Sequence, residues 1–177
     1  MTKYYATESN YIDQANPSFT PDPNATETLF RWDTSEARTY LKFNISSLPA
    51  GAVIESASLG YYVTSNLNDP KSFDIYSIAD ADDGWQELTL TWANAPSIVN
   101  ITASASFTPQ QNTRYSIPLP ISYIQTEANG GGNDIVTLVF RSSLQGVQNG
   151  PINQWSIGTE DQAARLNRPT LFVKYHT

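Results

Sequence analysis

Residues 38–62, RTYLKFNISSLPAGAVIESASLGYY, constrain the fold more than any other stretch. Leu41, Phe43 and Ile45 alternate with Tyr40, Lys42 and Asn44, and Ala57, Leu59, Tyr61 and Val63 alternate with Ser58, Gly60, Tyr62 and Thr64. Side chains on a strand point to opposite faces with period two, so the pattern predicts two β-strands, each burying one face. Ser46 to Ala52 carries the turn between them, where Pro49 fixes φ and Gly51 accepts positive φ. Leu41, Phe43, Leu59 and Tyr61 are the expected inward set. Arg38, Tyr40 and Lys42 are expected to face outward.

The rest of the chain is punctuated in the same way. Strands are expected within Tyr4–Asp13 and over Thr28–Asp33, Ser72–Ile78, Leu88–Trp92, Ile101–Phe107 and Tyr115–Leu119. Three more are expected over Asp134–Arg141, Asn153–Ile157 and Thr170–Tyr175. Loops rich in Pro, Asn, Asp and Gly separate them, the longest being Asn16–Thr26. Turns at intervals of roughly 8–15 residues fit a two-sheet sandwich. In Ile121–Ala128, Ile121, Ile124 and Ala128 share a helical face, and Gly130 to Gly132 end the helix. With charged residues at 15%, aromatics at 12%, 11 Pro and 9 Gly, the composition is that of a turn-rich all-β protein. The expected fold is therefore an all-β sandwich of two antiparallel sheets with one short helix near 121–129, in a single domain 1–177.

Several function classes are disfavoured at once. A net charge of −7 argues against nucleic acid as a partner, which needs clustered Lys and Arg. No apolar run approaches the roughly 18 residues of a membrane span, so no membrane partner is expected. The start, MTKYYATESNY, has no signal-peptide h-region. Without cysteine there is neither a Cys nucleophile nor a Cys zinc site, and the one histidine, His176, lies at the end of the chain. No enzyme activity is expected.

The stretch AR-TYLKFNISSLPAGAVIESASLGYYV resembles the hallmark of the DNRLRE-type domain, a jelly-roll family akin to alginate-binding carbohydrate-binding modules. Four further pieces fall in that family's order: SNYIDQANP at Ser9–Pro17, LTWANAP at Leu90–Pro96, NDIVTLVFRS at Asn133–Ser142 and the closing segment Gly158–Tyr175. Ser9 stands where the family usually has an acid, with Glu8 one place earlier, and Thr159 stands in place of the closing arginine. The resemblance implies a jelly-roll β-sandwich without catalytic machinery. It implies, first, a structural or adhesion module of a surface assembly. A phage virion is the favoured setting, as capsid decoration or tail component, in contact with other structural proteins and with glycans. The alternative is a carbohydrate-binding module for acidic polysaccharide such as alginate, partnered with an exported enzyme. Localisation at a virion or an extracellular surface, and homo-oligomer formation, go with these readings.

Arg38, Tyr40, Lys42 and Arg141 form the expected glycan- or partner-binding set, joined by Glu160 of the closing motif and extended by Trp32 and Tyr62. Guanidinium and ammonium groups pair with carboxylates, and a flat Tyr face stacks on a sugar ring. The competing reading is a face whose cations pair with Glu36, Glu160 or Asp161. Trp92 is expected to pack in its turn, and Trp155 is open to packing or sugar contact. Asp80, Asp82 and Asp83 are candidate ligands of a structural calcium ion, the one cofactor considered. A solvated acidic turn is the favoured reading, because Gly84 comes too early for a helix-loop-helix calcium site and no bidentate Glu follows at the right distance.

Overall fold

Alternation of apolar residues, not helix propensity, builds this molecule. The computed structural model describes residues 1–22, 24–25, 27–32, 35–64, 71–108, 110–129, 132–143 and 153–177. The strands are β1 (Thr2–Tyr5), β2 (Glu8–Asp13), β3 (Glu27–Trp32), β4 (Glu36–Asn44), β5 (Val53–Val63) and β6 (Lys71–Ile78). After them come β7 (Ile98–Phe107), β8 (Thr113–Leu119), β9 (Ile135–Ser142), β10 (Asn153–Gly158) and β11 (Thr170–His176). The helix α1 (Ile121–Ala128) lies between β8 and β9. All the pairings are antiparallel.

Two layers face each other. One runs β2–β4–β9–β6–β7 and the other β1–β11–β5–β8, with β10 and β3 carrying the hydrogen bonding from β5 across to β4. Register places Leu41 opposite Leu138 and Phe43 opposite Val136 in the first layer. In the second, Leu59 lies between Leu171 and Ile117. These side chains share one core with Tyr61, Phe73, Phe140 and Val173. The Tyr61 and Phe140 rings meet edge to face, their centroids 5.4 Å apart. The inward set expected from the sequence is thus the inward set of the sandwich.

The β4–β5 turn closes as its residues dictate. Gly51 takes a φ of 78°, the Ala52 N–H donates to Pro49 O at 3.0 Å, and Asn44 Oδ1 accepts from the Ser46 N–H at 3.0 Å. Helix α1 fastens this turn. Gln125 accepts from the Ile54 N–H at 2.7 Å and donates to Ala52 O at 2.8 Å, while Ile124 enters the core.

Two expectations are corrected. Leu88–Trp92 is not a strand but a chain of turns. Asn94 takes over the backbone there, accepting from the Thr91 N–H at 2.7 Å and donating to Thr89 O at 2.8 Å. This frees Leu90 to insert inward while Leu88 stays exposed. The outer face of β4 is also not open. Segment 79–97 folds over it, and a second apolar cluster forms from Ile12, Tyr40, Ile78, Trp85, Leu90 and Val139. Tyr40 is 0% exposed and Lys42 7%. Alternation at period two predicts one wet face, whereas β4 is buried on both.

Trp85 anchors this cover. Its ring meets Tyr40 at 5.8 Å and 70°, Lys42 Nζ lies 4.5 Å from a ring centroid, and Nε1 donates to Thr137 Oγ1 at 3.2 Å. Trp85→Ala is expected to cost about 3 kcal/mol, because it opens a cavity and strips a buried cation of its aromatic contact. Leu88→Ala, at an exposed position, is expected to cost less than about 0.5 kcal/mol. Urea unfolding of both variants checks the contrast, and equal losses would show that the segment does not seal β4.

Candidate functional site

The residues expected to bind are brought together, but under cover. Arg38 and Arg141 converge on one buried carboxylate, that of Glu36. Arg38 Nε lies 2.5 Å and Arg141 Nε 2.7 Å from Glu36 Oε1, and Arg141 Nη2 reaches Oε2 at 3.2 Å. Burial opposes the Arg141 charge most strongly of any single cause, but the hydrogen bonds and charges of Glu36 and Tyr76 together outweigh it and hold Arg141 above its ordinary value. Arg38 also stacks over Trp92 at 4.8 Å, so Trp92 packs in its turn as expected. The Tyr40 hydroxyl donates to Pro96 O at 2.7 Å, and burial pushes its pKa up to about 12. Lys42 Nζ pairs with Glu8 Oε1 at 2.8 Å and donates to Trp85 O. These cations neutralise internal acids, and Glu36 is the partner that the competing reading named. The Trp32 and Trp155 side chains lie outside the described residues.

Glu160 joins a carboxylate chain at the edge of this layer. Ser9 Oγ donates to Glu160 Oε2, Glu160 meets the Glu87 side chain, and the Glu87 N–H donates to Glu8 Oε2 at 3.0 Å. Burial, and then the Glu87 carboxyl, push Glu160 up to about 8.

The three aspartates separate by environment. Asp80 and Asp82 lie in an exposed 3-10 turn, whereas Asp83 is buried. Thr137 Oγ1 donates to Asp83 Oδ1 at 2.5 Å and Asn133 Nδ2 to Oδ2 at 3.2 Å. Burial raises the Asp83 pKa despite these donors. Among the described residues, no group of three or more acidic or histidine side chains is placed to hold a metal ion. Of the three candidate aspartates, two thus face solvent and one is turned into the fold. What the sequence reading passed over is Glu127, 3% exposed, whose Oε2 is buried with no hydrogen-bond partner beneath Gly132. Burial, and then the nearby Asp80 carboxylate, push it up to about 7. Its spacing from Ile124, three residues along the helix, was the available signal.

Cations and aromatics also collect on the opposite layer, where Lys3 and Arg165 are exposed and Tyr5, Arg114 and Phe172 are half-buried. Tyr4, Leu171, Leu59 and Ile117 point into the core, so Lys3, Tyr5, Thr170, Phe172, Ser58, Gly60, Arg114 and Ser116 line the outer side of β1–β11–β5–β8. Lys3 Nζ lies 5.9 Å and Arg114 Cζ 5.6 Å from the Phe172 ring centroid. Arg165, from the 3-10 turn Arg165–Asn167, lies 5.8 Å over Tyr5. Lys3, Tyr5, Arg114, Arg165 and Phe172 surround a cavity of about 40 Å³, which opens beside a groove of about 330 Å³ along Ser58, Arg114, Ser116 and Phe172. Three cations and two aromatic rings lining a small recess suit an anionic group borne on a ring. Local motifs do not reveal this face, because its residues come from opposite ends and the middle of the chain.

The sequence model of carbohydrate-binding module family 96 matches residues 2–175. No curated protein matches the chain.

The two raised carboxyls set a pH dependence. Both are protonated in the fold at pH values where the unfolded chain, with carboxyls near 4.5, has released its protons. The native state then binds more protons, so the stability these two groups contribute is fully present below about 4.5 and is lost as pH rises through about 7 and 8. Glu160→Gln and Glu127→Gln are each expected to flatten that decline. Melting temperatures from pH 5 to 9 measure it, and variants that track the unmodified protein would show that these carboxyls are not the source.

Proposed function

The chain belongs to carbohydrate-binding module family 96, and from that premise we propose that it is a non-catalytic module that binds acidic polysaccharide on the outer face of β1, β11, β5 and β8. The observation that carries this reading is the grouping of Lys3, Arg114 and Arg165 with Tyr5 and Phe172 around one recess. Guanidinium groups match carboxylates in bidentate geometry, an ammonium adds a compact charge, and an aromatic ring offers a flat apolar surface to a sugar. Formal net charge is −7, so the molecule as a whole repels a polyanion. Attachment then depends on this local cluster and weakens with salt.

The family favours this reading over the virion one. Uronate polymers such as alginate are the ligands to try, and a module that binds them would act at an extracellular surface. Arg38, Lys42 and Arg141 support the fold in this reading, since Glu36 and Glu8 already hold their charges.

Affinity electrophoresis through alginate and through a neutral polysaccharide tests the proposal. Retardation is expected in alginate alone. Lys3→Ala with Arg165→Ala is expected to weaken it by at least about tenfold, as the loss of charge-assisted contacts implies. Arg38→Ala is expected to leave affinity unchanged while lowering stability. No retardation of the unmodified protein in alginate or any other acidic polysaccharide would overturn the ligand class. Retardation that survives the double substitution would overturn the face.

A further inference from the structure

Arg114 stands at the centre of the proposed ligand face, yet its guanidinium is engaged within the protein. Its Nη1 donates to Leu166 O and, at 3.4 Å, to Arg168 O. Those carbonyls belong to the turn that carries Arg165 and to the residue just after it. The same guanidinium lies over Phe172. A planar fork resting on a ring while holding two carbonyls is a rigid arrangement, one that a lysine cannot reproduce.

Gly60 makes room for it. Gly60 sits on β5 between Thr170 and Ser116, with Arg114 and Phe172 lying across it. A Cβ at Gly60 would come within 2.7 Å of Arg114 Nη2 and 2.7 Å of a Phe172 ring carbon. The backbone of Gly60 lies outside the left-handed region, so a side chain is excluded by what lies above the strand and not by φ. The two nearest obstacles, the tip of Arg114 and the edge of the Phe172 ring, are side chains and not backbone, so they can shift without unfolding the sheet. The far end of the turn is seated differently, on Gly158, where a Cβ would strike the Asn167 carbonyl at 2.6 Å. Arg168 Nε adds a hydrogen bond to Gln162 O at 2.8 Å.

We infer that Gly60 and Arg114 are positioning residues of this face: the bare Cα of Gly60 lets the Arg114 guanidinium lie on Phe172 and grip the 165–168 turn, and that grip sets where Arg165 stands over Tyr5. The inference rests on reading this surface as the ligand face, although the position of the turn is measurable without any ligand. Arg114 then acts on binding through Arg165 more than through its own charge. Gly60 acts without touching ligand.

Two variants of the full chain test this, Gly60→Ala and Arg114→Lys. The second keeps the positive charge and leaves Gly60 alone, so it serves even where the first folds poorly. Limited trypsin digestion, read by fragment mass, reports cleavage of the exposed Arg165–Leu166 bond. Both variants are expected to be cut about tenfold faster there, as for a segment released into local opening, with an unchanged melting temperature. Both are also expected to lose about tenfold in alginate retardation, although Lys3 and Arg165 remain. Cleavage as slow as in the unmodified protein overturns the inference whatever the retardation shows. Full retardation by Arg114→Lys overturns it as well, since charge alone would then suffice. If cleavage accelerates but even Lys3→Ala with Arg165→Ala leaves retardation intact, the positioning of the turn stands and the ligand face falls.

Discussion

Burial of both faces of β4 is the constraint on which the rest of the structure depends. One face meets the other layer through Leu41 and Phe43, and the other is sealed by Trp85, Leu90 and the turns around them. The seal draws Lys42 and Tyr40 into low dielectric, where each needs a partner. Glu8 and Trp85 O serve Lys42, and Pro96 O serves Tyr40. Arg38 and Arg141 likewise lock onto Glu36. A basic strand that looks suited to an anionic ligand therefore becomes an internal ion-pair network.

That network displaces the exposed positive surface to the other layer. Lys3, Arg114 and Arg165 gather there with Tyr5 and Phe172, in a molecule of net charge −7. Position on the sheet, more than the number of cations, gives this face its character. Phe172 is bracketed by two cations, and the Arg114 guanidinium ties down the Arg165–Asn167 turn by donating to Leu166 O and Arg168 O. Lys3 and Arg165 stay exposed on this face while Arg114 is held by backbone carbonyls, whereas the cations of the Glu36 cluster are held by an acid.

Crowded acids shape the other end of the energetics. Glu127 beside Asp80, and Glu160 beside Glu87, retain protons that free carboxyls would release. Each pair joins segments distant in sequence: α1 to the 80–83 turn, and the closing loop to the cover over β4. Their protons act as part of the packing, and raised pKa values here have a structural origin as well as the functional one such shifts often signal.

By itself the sequence determined the sandwich. Leu41, Phe43, Leu59 and Tyr61 alternate at strand period, Gly51 turns the chain, and Ile124 marks the helix face, all of it local patterning that survives folding. It also offered Glu36 as the partner for Arg38 and Arg141. Only tertiary structure decided which outward faces stay wet, because the cover of β4 comes from a segment some forty residues further along, and alternation says nothing about what lands on a strand. The same holds for Leu88–Trp92, whose strand-like composition yields to the hydrogen bonds of Asn94. It holds again for the recess of Lys3, Arg114 and Arg165. These residues are neighbours because β1, β8 and the turn before β11 meet on one layer, and no linear spacing encodes that meeting.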